Sequence, residues 1–215
     1  MSEDAFATAL AGLYSTFAAP PPRVIEGCPC CIGSRKVDVL LTKPLRMLTT
    51  DDLARYGSGA FLTVGGVNDF RYLLPRLFEL SACDPGWYPS PEVIVGKLAL
   101  AEWEAWRKAD RIAVTNFLAA WFDRLAAGWA EDEDYLGDID PLLCGLARAG
   151  EDIAPYMDRL RRPENVIGLT QLRETWDEDR ATAFWDIAPG AWQQVSDFLA
   201  TVAPYPSTNT GPQAT

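Results

Sequence analysis

The sequence predicts an all-α protein, an irregular multi-helix bundle or short helical stack of eight to ten helices. Three observations carry that expectation. At least eight segments place apolar residues at spacings of three and four, the signature of a helix with one buried face. At most one or two short stretches alternate as a strand would, the best being Val37-Asp38-Val39-Leu40-Leu41, too few for a stable sheet. Pro, Gly and Asp recur between the periodic segments, where helices start and stop.

The first helix is expected from about Glu3 to Ala18, with Phe6, Leu10, Leu13, Tyr14 and Phe17 on one face, and Pro20-Pro21-Pro22 ending it. Residues 23–48 carry the cysteines and then the strand-like 37–41. Thr49 or Thr50 caps a helix through Asp51, Asp52, Leu53 and Tyr56. Gly57, Gly59, Gly65 and Gly66 divide the next stretch into turns. Asn68 or Asp69 opens an apolar helix through Phe70, Leu73, Leu74, Leu77, Phe78 and Leu80, which Pro75 should kink.

Ser90-Pro91-Glu92 is a strong helix start, with Pro at the first position and an acid beside it. This helix is expected to reach Lys108 and to carry Trp103 and Trp106. The clearest apolar stripe follows over Arg111 to Ala130, through Val114, Phe117, Leu118, Trp121, Leu125 and Trp129. Glu131-Asp132-Glu133-Asp134 breaks it. Shorter helices are expected near 139–149, 151–161, 164–174, 178–187 and 189–203. Residues 1–203 thus read as a single helical domain, divisible if anywhere near 131–138. Residues 204–215, rich in Pro, Thr, Ser and Gly, read as a disordered tail.

Composition narrows the function. There is no histidine in 215 residues. That removes Ser-His-Asp and Cys-His nucleophile pairs, His-Glu-x-x-His proteases and mixed Cys/His zinc sites. A net charge of −11 argues against a phosphate-backbone or anionic-membrane partner and suits a basic protein partner. No apolar run approaches the roughly 20 residues of a membrane span. The start Met1-Ser2-Glu3-Asp4 is acidic where a secretory signal is basic. Five cysteines, three of them within four residues, make no disulfide framework. A reducing cytoplasm is the expected home.

One thiol cluster remains as candidate chemistry, Cys28-Pro29-Cys30-Cys31. Cys28 and Cys31 have the Cys-x-x-Cys spacing of a redox pair or of half a four-cysteine zinc site, and Cys28, Cys30 and Cys31 are the candidate metal ligands. Against both, the flanks are Pro-rich before and Gly33-Ser34 after, with no strand pattern, and Cys83 and Cys144 are isolated. A packed turn of small buried thiols is the simpler reading. Residues 132–140 superficially match a calcium loop, but Leu136 and Leu143 stand where oxygen ligands belong. Glu174, Asp177, Glu178 and Asp179 around Trp176 could do acid–base work if buried. At a helix start they more simply complement the dipole. The tryptophans fall mostly on core faces, and one or two could anchor an interface.

Pro44-Leu45-Arg46, Asp51-Asp52-Leu53-Ala54-Arg55-Tyr56, Thr63-Val64-Gly65 and Asp69-Phe70-Arg71-Tyr72-Leu73-Leu74-Pro75-Arg76-Leu77-Phe78-Glu79-Leu80 together resemble a family of uncharacterised bacterial proteins. There a Cys-Pro-Cys-Cys-like run precedes an Asp-Phe-Arg helix. The resemblance covers about residues 25–80 and brings no catalytic residues. It implies that the cysteine turn and the helix after it form one unit.

The expected function is therefore a cytoplasmic protein-interaction protein with no catalytic residues of its own, such as an acidic immunity-type or adaptor protein covering a basic partner. The alternative is a thiol-redox or zinc-binding protein built on the Cys28–Cys31 cluster.

Overall fold

The computed structural model describes residues 2–29, 37–128, 137–176 and 182–202. Among them are ten α-helices: α1 Ser2–Thr16, α2 Asp38–Thr42, α3 Thr50–Gly59, α4 Val67–Cys83, α5 Pro91–Leu100, α6 Lys108–Ala126, α7 Ile139–Arg148, α8 Ala154–Leu160, α9 Val166–Thr175 and α10 Pro189–Thr201. The described residues contain no strand. Single bridges join Val64 to Gly27 and to Ala60. The protein is all-α, as its periodicity requires.

Local signals explain most boundaries. At α3, Thr49 accepts from the Asp52 N–H while the Asp52 carboxylate accepts from the Thr49 N–H, a reciprocal cap that satisfies two otherwise orphaned donors. At α4, Gly66 is the cap and Asp69 reaches back to its N–H. The same Asp69 accepts from the buried Tyr56 hydroxyl at 2.6 Å, tying α3 to α4. Helix α4 continues through Pro75 to Cys83 as one element, because buried neighbours such as Leu74, Leu77 and Phe78 hold both sides of the proline.

Three expectations are corrected. The strand-like residues 37–41 lie at and in α2, whose Leu40 is fully buried; five residues with no partner edge gain more by closing a helical turn. The helix from Pro91 stops at Leu100 rather than Lys108, since Glu102 enters the left-handed region at φ 50° and a 3-10 turn, Trp103–Ala105, follows. Residues 183–187 form a 3-10 turn rather than part of an α-helix. The expected acidic break at 131–134 and the tail from 204 lie outside the described residues.

The buried apolar side chains form one cluster, from Phe6 in α1 to Phe198 in α10. Helix α1 lies along α6, where Phe6 meets Phe117 at 5.5 Å between ring centroids, and Phe117 in turn meets Phe78 and Trp121. Trp121 is 1% exposed. In the C-terminal part, Trp176 and Trp192 stack at 4.1 Å with Trp185 edge-on to both.

Helices α5 and α7 pack closest and run in the same direction. Gly145 faces Pro91, Glu92 and Val95 so tightly that a β-carbon there would sit 2.9 Å from the Val95 Cβ and 3.1 Å from the Pro91 carbonyl oxygen. Further on, Arg148 packs on Gly96, and Trp103 donates its indole N–H to the Ala149 carbonyl at 2.9 Å. A parallel pair brings two like helix ends together at each pole, positive at one and negative at the other. Those poles position the candidate sites.

Candidate functional site

The cysteine cluster is only partly on view. Cys28 is half-buried, and its backbone N–H donates to the Thr63 carbonyl at 2.9 Å. Gly65 likewise donates to the Glu26 carbonyl, so residues 26–28 lie against the turn that precedes α4. Cys30 and Cys31 lie outside the described residues. Cys83 is exposed at the end of α4 and Cys144 is buried in α7, where burial first, then the charges of Asp140 and Glu92, push its thiol up to about 12. Among the described residues, no group of three or more Cys, Asp or Glu side chains is placed to hold a metal. Of the acids around Trp176, Glu174 is exposed and 177–179 lie outside the described residues.

The N-terminal pole of the α5–α7 pair holds two buried carboxylates. Glu92 and Asp140 are 5% and 6% exposed. The Thr182 hydroxyl donates to Glu92 Oε1 at 3.0 Å, and the Thr182 N–H donates to Asp140 Oδ2 at 3.2 Å. The Trp185 indole N–H donates to Asp140 Oδ1 at 2.6 Å. Two positive helix ends favour these acids, while burial pushes the Asp140 carboxyl above its ordinary value. The arrangement clasps the segment before α10 to the body. It is a structural joint.

The C-terminal pole is built on a different rule. Helix α7 ends in the two-bond arrangement that satisfies its last carbonyls: Gly150 N–H to Ala147 at 3.1 Å and Glu151 N–H to Leu146 at 3.0 Å, with Gly150 at φ 84°. Helix α5 ends similarly, Glu102 N–H donating to Ala99 at 3.0 Å. Here, however, the left-handed position is filled by glutamate, a residue that strains there by about 1 kcal/mol.

Four carboxylates gather at these two ends, on Glu102, Glu104, Glu151 and Asp152. A β-carbon at Gly150 would lie 3.2 Å from Glu104 Oε1, so Glu104 from one helix end touches the other. Burial, then the charges of Asp152 and Glu104, hold the Glu151 carboxyl above its ordinary range. Among the described residues none of the four forms an ion pair. The nearby Arg148 turns away, donating to the Glu92 carbonyl at 2.7 Å with its guanidinium 4.6 Å from the Phe184 ring centre. A cleft of about 460 Å³ lies between the ends, floored by Ala99, Trp103 and Ala147 and rimmed by Glu102 and Glu104, with Arg148 also in its wall.

This geometry can hold positive charge. Acids at a helix C-terminus oppose its partial negative charge, and each costs roughly 0.3–1 kcal/mol in the free protein. A cationic group laid between them would attract both the carboxylates and the helix ends and so offset those repulsions. The sequence concealed the site because Glu102 and Glu104 read as interior positions of a longer helix, nearly fifty residues before Glu151. The available signal was Gly150-Glu151-Asp152, acids directly after a helix-ending glycine.

No family model, curated protein or solved structure matches the chain.

Proposed function

We propose that this protein is a non-catalytic interaction protein, of the adaptor or immunity kind, that receives a lysine- or arginine-rich segment of a partner protein at the acidic C-terminal pole of α5 and α7. The observation carrying this reading is the gathering of Glu102, Glu104, Glu151 and Asp152 where α5 and α7 end, without an ion pair among the described residues, Glu102 on strained backbone and Asp152 also capping the start of α8. A fold selected for stability alone would put Gly, Lys or Arg there. The net charge of −11 supports the same reading, because it speeds encounter with a basic surface. Trp103 and the alanines beneath offer apolar contact for the aliphatic stem of a lysine.

Calorimetry with a lysine-rich peptide tests it. The wild type should form a one-to-one complex that weakens linearly in log salt. Glu104→Gln with Asp152→Asn should weaken binding at least about tenfold, or 1.4 kcal/mol. Asp38→Asn with Asp51→Asn, exposed acids at the starts of α2 and α3, should leave it within about twofold. Equal losses from both pairs, or no complex, would refute the assignment.

A further inference from the structure

A second site of opposite charge lies between residues 16–22, the start of α4 and the start of α6. Asp110, fully buried, is gripped from two sides: Arg71 Nη2 donates to Oδ2 at 2.6 Å, and Arg107 donates from Nη2 to Oδ1 at 2.8 Å and from Nε to Oδ2 at 3.0 Å. Arg107 first and Arg71 with it hold the Asp110 carboxyl below its ordinary value. Two permanently charged guanidiniums against one carboxylate leave one positive charge unbalanced. The Arg71 guanidinium is further fixed 4.5 Å from the Trp106 ring centre and 5.4 Å from that of Phe17. Its free edge cannot swing away.

That charge opens into a cavity of about 350 Å³ lined by Phe17, Pro20, Asn68, Arg71, Tyr72 and Arg107 among others, with no Asp or Glu in its wall. Arg71 Nε and Nη1, Arg107 Nη1, the Tyr72 hydroxyl and the Asn68 amide make no hydrogen bond among the described residues. The Tyr72 hydroxyl is a donor at neutral pH, and burial pushes its pKa further above the ordinary value. Opposite the donors, Phe17 and the prolines form an apolar wall. Convergent unmet donors, one unbalanced charge and an apolar wall describe a binding site for a small acid.

We propose that this pocket binds a small monocarboxylic acid with a flat apolar body, its carboxylate bridging Arg71 and Arg107 and its body lying against Phe17 and Pro20. A guanidinium edge matches a carboxylate in a two-bond fork. One unbalanced charge suits a monoanion, and the surrounding charge of −11 weighs against a phosphate dianion. The volume sits at the small end of ligand pockets, so the body is about one aromatic ring in size. Asp110 acts as a positioning residue that presets both arginines.

Titration of the full chain with phenylacetate, read by calorimetry, tests the assignment. Saturable binding with a dissociation constant near or below about 1 mM is expected. Phenylacetamide, the uncharged counterpart, and inorganic phosphate should each bind at least about tenfold more weakly. Arg107→Gln, at a side chain 74% exposed, should weaken phenylacetate at least about tenfold. Tyr72→Phe, which removes a hydroxyl with no protein partner, should weaken it severalfold without changing the melting temperature. Absence of saturation, phenylacetamide or phosphate binding as tightly as phenylacetate, or indifference of a folded Tyr72→Phe and a folded Arg107→Gln would each overturn it.

Discussion

The two poles of the α5–α7 pair carry similar acids under opposite rules. At the N-terminal pole, Glu92 and Asp140 are buried beside two positive helix ends and accept three hydrogen bonds from Thr182 and Trp185. At the C-terminal pole, Glu102, Glu104, Glu151 and Asp152 crowd two negative helix ends with no ion pair among the described residues. The residue type is the same, so the difference lies in what the acids meet. Acids of the first pole are tied into the fold, though Glu92 Oε2 is buried without a hydrogen-bond partner among the described residues. Of the second group, Asp152 also accepts from the Ala154 N–H at the start of α8, while Glu102, Glu104 and Glu151 have no ion pair among the described residues.

Substitutions can break that contrast, and a core position sets its scale. Trp121→Ala, remote from both poles, should cost about 3–5 kcal/mol in denaturant titration, the usual loss for a buried large aromatic. Asp140→Ala should cost about 2–4 kcal/mol, because the Trp185 indole N–H and the Thr182 N–H both lose a charged acceptor. A cost below about 1 kcal/mol would mean that the clasp is not a structural joint. Its pH dependence has a definite sign. With its folded carboxyl raised above 3.8, Asp140 contributes fully below that value and less as pH climbs through the folded value. The stability gap between wild type and Asp140→Asn should therefore narrow from about pH 4 toward neutrality.

At the other pole the sign reverses. Glu102→Gly should raise stability by about 0.5–1 kcal/mol through release of left-handed strain, while weakening the lysine-rich peptide. Glu104→Gln with Asp152→Asn should change stability by less than about 0.5 kcal/mol, because Asn still accepts from the Ala154 N–H. The smallest effect is the sharpest diagnostic. In that double variant the Glu151 carboxyl, followed by NMR, should titrate at lower pH than in the wild type, because two repelling neighbours are gone and only burial still raises it. An unshifted Glu151 would mean the four acids do not act as one group.

The fold was legible where local chemistry acts alone. Thr49 and Asp52 announced α3, Ser90-Pro91-Glu92 announced α5, and the stripe from Val114 to Leu125 announced α6. What escaped depended on contacts distant in sequence. Nothing near Glu102 predicts that α5 ends there. The helix stops because Trp103 turns to bond the Ala149 carbonyl and Trp106 to bond that of Ala101. The acidic cleft escaped for the same reason, since its two halves meet only when α5 and α7 pack in parallel. The pocket at Arg71 and Arg107 escaped because Asp110 looks like any acid in the first turn of a helix. Its burial and double grip are tertiary facts.

The pairing of α1 with α6 bears on how the chain is made. Phe6 packs on Phe117 of a helix that begins about 90 residues after α1 ends. At roughly 5–20 residues per second, a nascent chain carries Phe6 without that cover for about 5–20 s before α6 has been synthesised. Helix α1 completes its packing only once α6 has been made. Throughout that interval Phe6 is open to any chaperone waiting at the exit.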